Sequence, residues 1–544
     1  MRQANLLYFY LGLSALLYAN WVQAEDPYRF YNWKITYGII TPRGTPQRGI
    51  LINGQFPGPT IDCVTNDNII VNVFNELDEP FLITWGGIQQ RKNSWQDGVL
   101  GTNCPILPGT NFTYHFQTKD QIGTFTYYPS TQMHKVAGAF GALNIQSRSV
   151  IPIPYPIPDE EFTLLVGEWY STDFKVLEQK LDQGLPLPFP DDLLINGRTQ
   201  NVNVFTGTKG KTYKLRFSNV GISKSINVRV QGHSMTVVEV EGTHTLQESY
   251  DSIDVHVGQS VAVLVTLSAT AKDYLIVAST RFTKPKTLQT TAILRYAGSN
   301  TPPSYSLPIG PTSAQVHWSM KQARTFRTNL TANAARPNPQ GSYHYATIPI
   351  TRTIVLSNKP EVIGGKQRYT VNGVSYVNPS TPLKLADWRN ISGVFTLNSI
   401  PDMPVDGAPP RYGTSVIGTE LHDFLEIVFY NTEKSVLTWH LDGSNFYVAA
   451  YAPRRKEMWT PKMRRRYNMI DAVTRHTVQV YPYSWTAILV SLDNKGMWNL
   501  RSAHWDRRYK GQELYIRVSN NEPSLLTENN MPTNALFCGL ATPP

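Results

Sequence analysis

The sequence predicts an all-β chain built as three tandem β-sandwich domains. One pattern, stated three times, carries most of that prediction. Each statement has an Asn-Gly pair, then a strand of apolar residues, then an asparagine at the strand's end. It runs from Asn53-Gly54 to Ile69–Asn75, from Asn196-Gly197 to Lys211–Asn219, and from Asn372-Gly373 to Phe424–Asn431. Asn-Gly between apolar runs is a strong hairpin signal, and a unit of about 150 residues repeated three times argues for three domains of similar build. The second observation is composition. Tyr (29) and Trp (12) are plentiful, and both favour strands. Helical periodicity is scarce, with one short candidate at Val176–Leu181.

The chain of 544 residues is too long for one core. With 41% hydrophobic and 17% charged residues it has an ordinary globular balance. Residues 1–24 read as a secretory signal: Arg2 is the positive end, Leu6–Leu17 the apolar centre, and Val22-Gln23-Ala24 the cleavage site. A membrane anchor is the other reading, but the run is short and Asn20 breaks it. The Ala535–Ala541 run is too short for the removable tail of a lipid-anchor signal, so a secreted, extracellular protein without a transmembrane span is expected.

Residues 25–150 form the first expected domain. Ile151-Pro-Ile-Pro-Tyr-Pro-Ile-Pro158 is too rich in proline for a central strand and reads as an extended linker into the second domain, 151–300. In that domain Tyr213, Leu215 and Phe217 alternate with Lys and Arg, so one strand face is buried and the other wet. Asp251, Asp254 and His256 cluster at the entry to the strand Ser260–Val265, which explains them as a turn. A second join, 301–345, holds many Pro, Ser, Thr and Asn. The third domain is 346–544.

Chemistry is sparse. The 11 His are scattered, none closer than His233 and His244, and no His-x-His, His-x-x-His or Cys-x-x-Cys occurs. There is no Gly-x-Ser-x-Gly elbow and no phosphate loop. The net charge is +10, which attracts polyanions; secretion makes acidic polysaccharide the expected partner and removes nucleic acid from reach. A basic cluster stands out at Arg454, Arg455, Lys456, Lys462, Arg464, Arg465 and Arg466, with Tyr451, Trp459 and Tyr467 interleaved. Guanidinium groups fork onto carboxylates and aromatic faces stack on sugars or cations; the plainer reading is a solvated loop. Asn111, Asn329 and Asn390 begin sequons and are glycosylation candidates on the secretory route.

Four segments resemble the copper-ligand segments of the plant multicopper oxidases, the ascorbate oxidase and laccase family. Thr84-Trp85-Gly86-Gly87-Ile88 is similar to its His-Trp-His-Gly-Ile. Gly123-Thr-Phe-Thr-Tyr127-Tyr128-Pro129-Ser130 is similar to its Gly-Thr-x-Trp-Tyr-His-x-His, with Tyr128 and Ser130 at the imidazole positions. Leu437-Thr-Trp-His440-Leu-Asp442-Gly resembles His-Pro-x-His-x-His-Gly. Gly496-Met-Trp498-Asn-Leu-Arg501-Ser502-Ala503 resembles Gly-x-Trp-x-Phe-His-Cys-His, with Ser502 at the thiolate position and Arg507 at the last His. The flanks Gln89, Trp95-Gln-Asp-Gly98, Gly138 and Gly511 fit the family. Within it, Thr-Trp-x-Gly-Ile, Tyr-x-Pro-Ser-Thr and Trp-His-Leu-Asp-Gly resemble the pollen-specific ascorbate-oxidase-like branch, related to cell-wall proteins whose loss skews root growth.

The resemblance implies cupredoxin-like domains, a disulfide between Cys104 and Cys538, and a setting in the apoplast or cell wall, with pollen tube growth as the process. Cys63 is left over, as a small buried apolar residue or half of an intermolecular bridge. A type-1 copper needs a thiolate and two imidazoles, and the coupled cluster eight more. Of the ligand positions only His440 keeps an imidazole, so no copper and no catalysis are expected. A copper-dependent oxidase of the ascorbate oxidase type is the alternative that the resemblance leaves open. His440 and Asp442 share a strand face, either as a metal or acid–base remnant or, the favoured reading, as a neutral His hydrogen-bonded to a carboxylate in an interface.

Overall fold

The computed structural model describes residues 26–283, 286–304, 306–312, 314–334, 345–522 and 524–542. The secretory-signal reading of 1–24 lies outside the described residues, as does part of the second join. The protein is all-β, with three sandwiches of two sheets each. The first pairs two four-stranded sheets, the second a six- and a five-stranded sheet, and the third an eight- and a six-stranded sheet.

Each sandwich opens in the same way. Its first strand lies parallel to a later one: Tyr28–Ile40 beside Asn68–Asn75, Glu160–Trp169 beside Thr212–Asn219, and Arg352–Ile363 beside Phe424–Asn431. The Asn-Gly pairs sit at equivalent corners, with both residues at positive φ: 51° and 73° at Asn53-Gly54, 45° and 73° at Asn196-Gly197, 46° and 81° at Asn372-Gly373. Two positive φ values in sequence are the signature of a type I′ turn. Each asparagine side chain then reaches back to the opening strand. Oδ1 accepts from the backbone N–H of Lys34, Leu165 or Ser357, and Nδ2 donates to the carbonyl of Asn32, Thr163 or Val355.

The asparagines that end the repeated strands also act alike. Asn75, Asn219 and Asn431 are buried, and each accepts one backbone N–H two residues on and donates to two carbonyls. Backbone groups that a bulge or loop would orphan are thereby satisfied.

The apolar interiors merge. One cluster runs from Leu164 and Val166 of the second domain into Ile427, Trp439 and Trp498 of the third. The first domain's cluster takes in Phe174, Leu177 and Leu181 of a helix and Trp505 from the third domain. That helix, Phe174–Asp182, contains the stretch read from the sequence and is capped by Asp173, whose side chain accepts from the Lys175 N–H. Two further helices, Val316–Ala323 and Leu383–Arg389, have no comparable sequence signal. The proline-rich run 151–158 carries no strand, and its Tyr155 is buried with the hydroxyl 2.5 Å from Glu239 Oε1.

Cys104 and Cys538 are bridged across 434 residues, with Cα atoms 5.8 Å apart. Cys63 is buried, and burial pushes its thiol up to about 12. Among the described residues no helix is long and apolar enough to cross a membrane.

Candidate functional site

The four singled-out segments meet where the first and third domains join. In the first domain, Ile83–Gly86 lies antiparallel to Gly123–Pro129, which places Thr84 opposite Tyr128. In the third, Leu437–Leu441 lies antiparallel to Gly496–Ser502, which places His440 opposite Arg501. The two pairs touch through Arg501, whose Nη2 donates to the Tyr128 hydroxyl at 3.2 Å.

Arg501 is buried and its other nitrogen forms an ion pair with Asp442. Asp442 in turn takes His440 Nε2 at 2.6 Å. Burial opposes charge on Asp442, but Arg501 and His440 overcome it and hold the carboxyl below its usual range. Asp97 lies against the same carboxylate with no conventional hydrogen-bond partner among the described residues. Burial, then the Asp442 charge, push Asp97 well up, so it holds the proton of the pair.

A second carboxylate anchors the far side. Glu241 of the second domain ion-pairs with Arg475 at 2.9 Å and accepts the backbone N–H of His476 at 2.7 Å. Burial of Glu241 is outweighed by Arg475 and His476, and its carboxyl stays low. His476 Nδ1 faces His440 Nδ1 at 3.4 Å. His476 Nε2 lies 3.5 Å from Glu241 Oε2, so its ring stands between that carboxylate and His440. Burial lowers both rings, His476 to about 4. The network therefore stitches all three domains with neutral imidazoles and paired ions.

Close packing leaves no room for more. A Cβ on Gly86 would sit 2.9 Å from the Tyr128 ring, and one on Gly87, at φ +90°, 2.4 Å from the His476 ring. Lys135 is buried under the Tyr128 ring at 4.4 Å and donates to the Gly221 carbonyl. Burial pulls its amine down to about 7.

The other positions are spread around this knot. Ser130 Oγ donates to the Gly98 carbonyl at 2.5 Å. Ala503 donates its N–H to Thr438. Leu437 is buried opposite Val480. Ser502 is buried, and its hydroxyl has no partner among the described residues, as is true of Thr84. Arg507 pairs with Glu433 at 2.5 Å and lies over the Tyr369 ring at 4.3 Å.

These donors do not fit the copper centres of the resembled family. A guanidinium stands in the middle, the one retained imidazole gives Nε2 to Asp442, and Ser502 offers a hydroxyl in place of a thiolate. Among the described residues no group of three His, Cys, Asp or Glu side chains is placed to hold a metal ion.

Sequence reasoning missed several members of the network. Asp97 lay in a quoted flank, Trp95-Gln-Asp-Gly98, without a role. Glu241, Arg475, His476 and Lys135 carry no motif at all. Asp254, read as a turn residue, pairs with Arg281 at 2.9 Å, both buried.

The basic cluster lies apart, on the loop and short helix after Tyr451. Arg464 spends its charge on buried Glu426 and Arg466 on Glu457. Arg454, Arg455, Lys456, Lys462 and Arg465 are exposed and form no salt bridge among the described residues. Of the sequon asparagines, Asn111 and Asn390 are exposed and Asn329 is half-buried.

Comparison with known proteins shows the family and the fold. Three family profiles described as multicopper oxidase match residues 34–150, 160–299 and 380–524. The chain is 50% identical to an L-ascorbate oxidase homolog of Nicotiana tabacum over 95% of each chain. It is 46% identical to the monocopper oxidase-like protein SKS1 of Arabidopsis thaliana, covering 98% of this chain and 92% of that one. Its fold matches Fet3p, a multicopper oxidase of iron import, with a TM-score of 0.75 at 21% identity over 90% of each chain.

Proposed function

Because this chain belongs to the multicopper oxidase family, we propose that it keeps the family's three-domain scaffold as a non-catalytic, secreted cell-wall protein that binds acidic polysaccharide. The observation that carries the loss of redox chemistry is Arg501, a permanent cation ion-paired to Asp442 among the corresponding ligand positions. A cation held there repels a metal ion, and no thiolate stands near to pass electrons.

The polyanion reading rests on the five unpaired cations from Arg454 to Arg465 on a basic chain. They offer carboxylate-matching charge at the surface, where affinity falls with salt. Secretion by the 1–24 signal, glycans on Asn111, Asn329 and Asn390, and a place in wall or pollen-tube growth belong to the same proposal.

Two measurements test it. Protein secreted from a copper-supplied host should contain well under one copper per chain by elemental mass spectrometry; near-stoichiometric copper resistant to mild chelation would restore an ascorbate-oxidase-type activity. The protein should be retained on de-esterified pectin at low salt and released as salt rises. Neutralising Arg454, Arg455 and Lys456 together should weaken that retention, and retention that ignores both salt and these changes would sink the polysaccharide reading.

A further inference from the structure

Beside the basic loop a cleft of about 670 Å³ opens between the segment 323–327 and the strand and loop 448–473. The volume falls within the range of roughly 300–1,000 Å³ of small-molecule sites. None of the ligand positions of the resembled family lines it. Its walls carry three guanidinium groups, Arg324, Arg327 and Arg466, against one acid, Glu248.

The three cations are not equivalent. Arg327 is paired with Asp471 at 3.1 Å and Arg466 with Glu457 at 3.2 Å. Arg324 is exposed; its Nη2 donates to the Ala452 carbonyl at 2.6 Å, and it has no carboxylate partner among the described residues. That one contact fixes where the head lies and leaves donors of its fork free.

Two tyrosines complete the walls, and both are held. Tyr467 accepts a hydrogen bond from Trp459 Nε1 at 2.8 Å. Tyr451 packs edge-on against Tyr481, with ring centroids 6.0 Å apart. Rings already fixed lose little entropy when a ligand arrives. A free guanidinium over a floor of held, nearly buried tyrosines suits a pyranose that bears a carboxylate, with the carboxylate taking the fork.

We propose that this cleft binds a short run of uronic acid residues, with Arg324 as the carboxylate anchor. This deepens the polysaccharide reading above and rests on it: the exposed loop gathers the polymer, and the cleft reads a few of its units.

The test is titration calorimetry of the full chain with a galacturonic acid trimer at low salt, with the fully methyl-esterified trimer as control. Arg324→Gln should weaken trimer binding about tenfold, the loss of a hydrogen-bonded charge contact. Glu248→Gln should strengthen it severalfold, a gain that misfolding cannot produce. The esterified trimer should not bind. If Arg324→Gln keeps the trimer's affinity, or if wild type binds pectin but no trimer, the cleft is overturned and the broader reading stands. Wild type that binds neither overturns both.

Discussion

Arg501 and Asp442 form an ion pair in which both side chains are almost wholly buried, 1% and 2% exposed. Taking two charges out of water is costly, and their mutual attraction and the further bonds to Tyr128, Asn499 and His440 offset it. Arg501→Leu leaves Asp442 buried without its main counter-charge and should cost about 3–5 kcal/mol. Replacing both residues by leucine should cost clearly less than the sum of the single changes. A double-mutant cycle on denaturant midpoints measures the difference; additive effects would mean that the pair is not a unit.

Stability should fall as the solution is made acid. His476 is held neutral down to about 4 by burial, facing Glu241, His440, Arg475 and Asp442. The unfolded ring protonates near 6.5. Between those values the unfolded chain binds a proton that the folded chain refuses, so stability rises with pH in that window and levels off above it. The span of this one group is on the order of 3 kcal/mol. Thermal midpoints measured from pH 4 to 8 should show the slope, and His476→Gln should make it shallower.

The buried Asn431 makes three hydrogen bonds to backbone groups, one fully and two partly buried. Asn431→Ala orphans those groups and should destabilise the third domain by about 3 kcal/mol or more, at 1–3 kcal/mol for each unsatisfied group. Asn219→Ala should do the same in the second. Hydrogen exchange resolved by domain would show whether each loss is local. A uniform loss across the chain would argue against separate corners.

The Cys104–Cys538 bridge ties the tail to the first domain across 434 residues. Near it Lys384 and Glu528 form a buried ion pair. Cys538→Ser should lower stability by about 2–5 kcal/mol and expose the tail after Asn520 to proteolysis. Mass spectrometry of limited digests reads the cleavage sites directly.

Much of this was legible in the sequence, for physical reasons that can be named. The Asn-Gly corners were visible because two positive φ values admit few residues. The strands after them were visible through the period of two in Tyr213, Leu215 and Phe217. The centre was legible only on one side. Thr84, Gly86, Tyr128, His440, Asp442 and Arg501 stood out because flanking motifs framed them. Glu241, Arg475 and His476 did not, because Glu241 sits in a turn of the second domain, Arg475 and His476 in a segment without a motif, and only folding brings them to the knot. The helix Val316–Ala323 escaped for a different reason: it is short, and its burial comes from packing against its surroundings, with Met320 and Ala323 in the shared core.

Arg501 has one consequence for how the molecule comes into being. The positive charge at the meeting of the first and third domains is a covalent part of the polypeptide. Its delivery is complete when translation ends, and it cannot be stripped by a chelator or withheld by scarcity. At this position assembly waits on nothing but the chain's own folding.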